Sequence, residues 1–260
     1  MNETQSAPGG QALEGRMFLY ERPELLNRAE HANLGLSPVE RPYEFVRNVR
    51  AAPLVWVELA SAQKDYPIVF SETEIPQPLA MLGIIDDTNL FVDESGNWER
   101  RCYIPYYIRC HPIGFAKGPN DQVAIVIDRA ARSVSDHPEE PFFAGDGLSE
   151  PMQRRVDLCA RYSLEREKTR AFCTRLKELG LFTGQQVKHH TGGDERSLGT
   201  YAAVDVEKLG KLDSETLRSL HAEGWLSAIY AHVFSLENWN RLLDRRTQRG
   251  LANAPSPGAA

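Results

Sequence analysis

Near residue 148 the apolar residues of this chain change their spacing, and that change restricts the folds open to it. Before it, apolar and β-branched residues come in runs of strand length, at residues 54–59, 66–70, 79–85 and 90–92. The third run ends at Asp86-Asp87-Thr88, which reads as a turn. Asp93-Glu94-Ser95-Gly96 reads as a hairpin connection in which glycine supplies the left-handed residue. Trp98 and residues 102–108 are then the return strand. Residues 123–127, Val-Ala-Ile-Val-Ile, are continuously apolar, as in a central strand covered on both faces. Pro67, Pro105 and Pro112 each remove a ladder donor, so their strands are expected to be short, at an edge or bulged.

Beyond the change the period is helical. Ser149 is a capping residue with Pro151 in the first turn, where its missing N–H costs little. Met152, Val156, Cys159, Tyr162, Phe172, Leu176 and Leu179 follow at three- and four-residue spacings, and Gly180 stands where a helix C-terminus wants glycine. A second helix is predicted from Asp213 to Gly224 and a third from Trp225 to Arg246. Between the first two, residues 185–190 and 198–204 read as strands joined at Thr191-Gly192-Gly193-Asp194. Strands first and helices later, without βαβ alternation, predict an α+β fold: an antiparallel sheet from the N-terminal half packed against helices from the C-terminal half.

Length and composition fit one domain over residues 17–249 of the 260, flanked by polar tails at 1–16 and 250–260 that have too little to bury. A net charge of −6 disfavours a general nucleic-acid binder, which carries a basic stripe. The N-terminus lacks the apolar core of a secretory leader, and no run approaches the roughly 18 apolar residues of a membrane span, so the expected location is the cytoplasm. Four cysteines without a CxxC pair give neither a disulfide framework nor a structural zinc site. Cys159 and Cys173 fall in the helical pattern and read as buried thiols.

The common catalytic signatures are missing: no GxGxxG or GKS/GKT loop follows a strand, and Gly-x-Ser-x-Gly does not occur. Seven histidines are present, and His137, Glu139 and His189 have the composition of a non-haem iron facial triad. The polar, proline-bracketed segment around His137 reads more readily as a surface loop. His232, mid-helix among apolar neighbours, reads as a core histidine. The stronger candidate is Tyr103-Ile104-Pro105-Tyr106-Tyr107-Ile108-Arg109. On a strand, Tyr103, Tyr107 and Arg109 share a face, with Trp98 nearby, and the guanidinium fork there suits a carboxylate or a peptide backbone. The competing reading buries both tyrosines in the sheet and pairs Arg109 with Asp93, Asp128 or a helix carboxylate.

Several pieces of the chain are to be taken together: Tyr66-Pro67-Ile68-Val69-Phe70, Leu82-Gly83-Ile84, Asn89-Leu90-Phe91-Val92-Asp93 with Gly96-Asn97-Trp98, and Tyr103-Ile104-Pro105 with Ile108, Arg109 and Pro112. Leu198-Gly199-Thr200-Tyr201, Val204-Asp205, Lys208-Leu209 and Ile229-Tyr230-Ala231-His232 complete the set, and over about residues 40 to 245 the chain thereby resembles the SapC-like family of bacterial proteins. This chain departs from the usual pattern at Cys102 and in Arg109-Cys110-His111-Pro112-Ile113, which leaves room for a thiol or imidazole role particular to it. The resemblance implies an accessory protein that binds a peptide, protein or small acidic ligand, from a surface-layer, uptake or natural-product locus. The alternative is a metal-dependent oxygenase acting on a peptide or amino acid.

Overall fold

The fold is described from a computed structural model. It covers residues 17–85, 87–117, 123–191 and 194–250, the side chains of 187–198 excepted. The expected tails, Asp86 of one expected turn and Gly192-Gly193 of another lie outside the described residues.

In chain order the first half comprises β1 (Pro23–Leu25), α1 (Arg28–His31), β2 (Gly35–Leu36), β3 (Ala51–Pro53), α2 (Leu59–Ala62), β4 (Ile68–Phe70) and β5 (Pro78–Met81). It continues through α3 (Tyr106–Cys110), β6 (Ile113–Lys117), β7 (Val123–Asp128), β8 (Val134–Ser135), β9 (Glu140–Pro141), β10 (Phe143–Ala144) and β11 (Gly147–Leu148). The second half comprises α4 (Glu150–Glu178), the hairpin β12 (Phe182–Thr191) and β13 (Asp194–Val204), then α5 (Val206–Gly210), α6 (Ser214–Ala222), α7 (Trp225–Ser235) and α8 (Asn238–Gln248). The α+β class predicted from the period change is the one observed, and the strand pairs among the described residues are antiparallel.

The chain divides into two compact units. The first takes Met1–Phe45, Ser95–Asn97 and Ile108–Leu164. Its main sheet runs β1-β7-β6, with β7 in the middle as its apolar sequence predicts. Only the C-terminal half of β7 is buried, however, and Val123 is 71% exposed, so the strand is not covered along its whole length. A second sheet, β8-β2-β9, closes around Gly35, where a Cβ would lie 2.2 Å from the Glu140 carbonyl oxygen; the strands meet there only because the residue is glycine. At the start of α4, Ser149 Oγ accepts from the Met152 N–H at 3.3 Å, the expected cap.

The second unit takes Val46–Glu94, Trp98–Tyr107 and Glu165–Ala260. Its five-stranded sheet runs β12-β13-β4-β5-β3. Phe70 on β4 anchors its core, meeting Phe182 at 5.0 Å and Phe172 of α4 at 6.4 Å. Phe70 and Phe172 are fully buried, each stabilising the fold by about 1.5–3 kcal/mol through transfer from water. Helix α4 ends in a Schellman motif: Leu181 N–H bonds to Leu176 O at 3.0 Å and Gly180 N–H to Lys177 O at 2.9 Å, with Gly180 at φ 65°. His232 of α7 ties helix to sheet, its ring lying between Ile68 O of β4 at 2.8 Å and Val204 N–H of β13 at 3.1 Å.

Three expected elements differ, and each has a hydrogen-bonding cause. Residues 54–59 do not form a strand. The Val55 N–H bonds to Glu58 Oε2 at 2.8 Å and the Trp56 N–H to Thr169 Oγ1 at 2.9 Å, so two ladder donors are spent and the chain turns through a 3-10 helix, Trp56–Glu58, into α2. The return strand shrinks to one bridge, Val92 to Trp98. After it, the Tyr103 N–H bonds to Asp65 and the Tyr106 N–H to Glu58, and Pro105 leads into α3 instead of a ladder. The long third helix is two, α7 and α8: Ser235 Oγ takes the His232 carbonyl at 2.6 Å, and Asn238 turns its amide onto Gln63 O and Tyr66 O.

Candidate functional site

Replacing the expected strand by α3 overturns the shared face of Tyr103, Tyr107 and Arg109, because the alternation that defined it does not exist over Tyr106–Cys110. Trp98, Tyr103 and Tyr107 belong to the second unit and Arg109 to the first. Trp98 is 6% exposed and stacks on Phe91 at 6.5 Å. The Tyr103 hydroxyl donates to the buried Glu58 carboxylate at 2.9 Å. Tyr107 is half-buried on α3.

Arg109 is exposed and lines a cleft of about 600 Å³ contained in the first unit. The loop before β3 contributes Arg41, Tyr43 and Phe45; α3 and the residues after it contribute Arg109, His111 and Pro112; the turn after β7 contributes Arg132. Leu19, Leu36, Val39 and Pro42 give it apolar walls. Of the cleft's arginines, Arg41 pairs with Glu44 at 3.1 Å and Arg155 with Glu140 at 3.0 Å. Arg132 is exposed and makes no ion pair among the described residues. Burial pushes the Tyr43 hydroxyl up, and the Arg109 guanidinium beside it partly offsets that. Glu21 and Glu139 line the same cleft, so it presents both signs of charge.

Beneath this surface Asp128, at the end of β7, is 2% exposed. Burial works to raise its carboxyl, but hydrogen bonds from His111 and from the Arg22, Glu21 and Ala130 N–H groups overcome it and hold the group below the usual carboxylate range. The His111 ring stacks on Phe45 with centroids 4.0 Å apart and planes inclined by 17°, and meets the Tyr20 ring edge-on at 5.3 Å. Tyr43, Asp128 and Arg132 were missed by the sequence reading as site residues, and His111 was singled out only as leaving room for an imidazole role. The available signal was an acid closing an apolar strand, Val123 to Asp128.

His137 and Glu139 are exposed on the loop before β9; His189 lies on β12 with its side chain outside the described residues. Among the described residues no three His, Cys, Asp or Glu side chains come together as a metal set. The cysteines are free; burial first, then the Asp65 and Glu99 carboxylates, push the Cys102 thiol up to about 11, and burial pushes Cys173 up to about 12. Cys159 instead donates its Sγ–H to Ile113 O at 3.3 Å. Among the described residues no helix is long and apolar enough to cross a membrane.

The fold and cleft define an α+β protein with an arginine-bearing, aromatic-walled recess. The family model named SapC matches residues 26–242, and the chain belongs to the SapC family. Comparison with curated proteins and with solved structures finds no match.

Proposed function

We propose that this SapC-family protein is a cytoplasmic accessory protein that binds a peptide or another small ligand carrying an acidic group, within a bacterial surface-layer, uptake or natural-product locus. The observation that carries the reading is the placing of two exposed guanidiniums, Arg109 and Arg132, on one cleft whose walls are aromatic, aliphatic and proline-rich. Guanidinium forks bind carboxylates through paired, charge-assisted hydrogen bonds, and the apolar walls suit the body of the ligand. The carboxylates of Glu21 and Glu139 oppose a polyanion and favour a ligand that also carries donors. The location and the type of locus rest on the sequence reading and the family resemblance.

The test is thermal unfolding and calorimetric titration of the full chain with small dicarboxylates and an acidic peptide. Ligand raises the melting point of the wild type. Arg109→Ala and Arg132→Ala each weaken binding about tenfold or more, since a charge-assisted hydrogen bond is worth about 1.5–3 kcal/mol. Unchanged binding in both variants would remove the cleft from the function.

A further inference from the structure

The Asp128–His111 contact fixes which nitrogen of the imidazole faces a ligand. Asp128 accepts the N–H groups of Glu21 at 3.1 Å, Arg22 at 2.9 Å and Ala130 at 3.2 Å, and its Oδ2 lies 3.2 Å from Nε2 of His111. A carboxylate with four donors around it is ionised at neutral pH and only accepts, so the shared proton resides on Nε2. A neutral imidazole has one N–H, which leaves Nδ1 with a lone pair. The ring cannot turn to exchange the two nitrogens without leaving Asp128 and the face of Phe45. The His111 side chain is 6% exposed, it lines the cleft, and no second hydrogen-bond partner of its ring nitrogens occurs among the described residues.

Beside its guanidinium donors and the Glu21 and Glu139 carboxylates, the cleft therefore offers an acceptor whose orientation Asp128 sets. We propose that it selects free acids with an amide N–H on the carbon next to the carboxylate, as in a peptide C-terminus or an N-acyl amino acid. Arg109 and Arg132 take the carboxylate, Nδ1 of His111 accepts the amide N–H, and the apolar walls at Leu19, Val39 and Phe45 take an apolar side chain. This deepens the binding reading above and rests on it. A plain acid of the same size leaves Nδ1 without a partner, and a buried acceptor left unpaired costs about as much as the bond it lacks.

The experiment titrates the full chain with N-acetyl-L-leucine and with N-acetyl-N-methyl-L-leucine at a pH of about 8. The N-methyl compound, which differs in the loss of the donor, is expected to bind about tenfold more weakly. In His111→Phe, which keeps a ring to stack on Phe45, the two compounds bind alike. Equal binding of both by the wild type overturns the inference and leaves the acid-binding reading standing, as does a response to dicarboxylates with none to either leucine derivative. A tenfold preference that persists in His111→Phe also overturns it, because the methyl group is then acting by bulk. Nitrogen NMR of the wild type gives a check that needs no variant. It is expected to show His111 protonated on Nε2, with the Nδ1 signal moving on addition of N-acetyl-L-leucine; the opposite tautomer overturns the inference.

Discussion

Acid should loosen this fold through a single buried histidine. His232 is wholly buried on α7, its edge against Phe70 at 5.0 Å. The Val204 N–H donates to its Nε2 at 3.1 Å, so Nδ1 carries the proton and donates to Ile68 O at 2.8 Å. Protonating the ring puts a second N–H on Nε2, facing the Val204 N–H, and breaks the tie from helix to sheet. Burial is the main cause that lowers the pKa from 6.5 to about 4; the bond to Ile68 O works weakly the other way. The unfolded chain takes up this proton near pH 6.5 and the folded chain only near pH 4. His232 therefore supports the fold fully above pH 6.5, and its support drains away as pH falls through that window. The drop from 6.5 to about 4 corresponds to about 3 kcal/mol, a large part of the roughly 5–15 kcal/mol that holds a domain together. The assay is urea unfolding followed by circular dichroism at several pH values between about 7 and 4, for the wild type and for His232→Gln, whose amide offers one donor and one acceptor but does not titrate. The wild type should lose about 3 kcal/mol more than the variant across the range. Parallel pH profiles, or an NMR titration of His232 near 6.5 in the folded protein, would refute the reasoning.

Two further outcomes concern groups in the second unit. Glu58 accepts the Val55 and Tyr106 N–H groups and the Tyr103 hydroxyl, so Glu58→Gln, which turns a donor toward Val55 or Tyr106, should cost about 1–3 kcal/mol in urea unfolding, and Glu58→Ala more; a neutral Ala variant would show that the network contributes nothing. With its thiol pushed up to about 11 from an ordinary 9.0, Cys102 should react with iodoacetamide at neutral pH about a hundredfold more slowly than a free thiol, its rate still climbing above pH 9; a plateau near pH 8 would contradict the assignment.

What could be read in the sequence was local. Ser149 at the start of α4, Gly180 at its end and Asp213 before α6 act on backbone groups within a few residues, so their chemistry is visible without the fold. The misread segments are governed from a distance. The N–H of Trp56 goes to Thr169, that of Tyr103 to Asp65 and that of Tyr106 to Glu58, and no pattern within residues 54–59 or 102–108 announces partners 38 to 113 positions away. The site divides the same way. Arg109 was legible because an arginine in an aromatic, proline-marked segment stands out. Tyr43 and Arg132 were not, because only tertiary structure brings residues 43, 109 and 132 to one cleft.

Asp128 shows why such a site leaves so faint a trace. Its carboxylate holds the start of β1 through the N–H groups of Glu21 and Arg22, caps the turn after β7 through Ala130, and orients His111. One side chain thus carries a structural duty and sets the tautomer of the imidazole in the cleft. Removing it would unpair three backbone donors and the His111 ring at once and would confuse loss of fold with loss of recognition. Replacing His111 leaves the three backbone bonds to Asp128 in place and removes one donor to that carboxylate together with the acceptor. For that reason the imidazole, and not the carboxylate that positions it, is where recognition by this cleft can be separated from the stability of the unit that contains it.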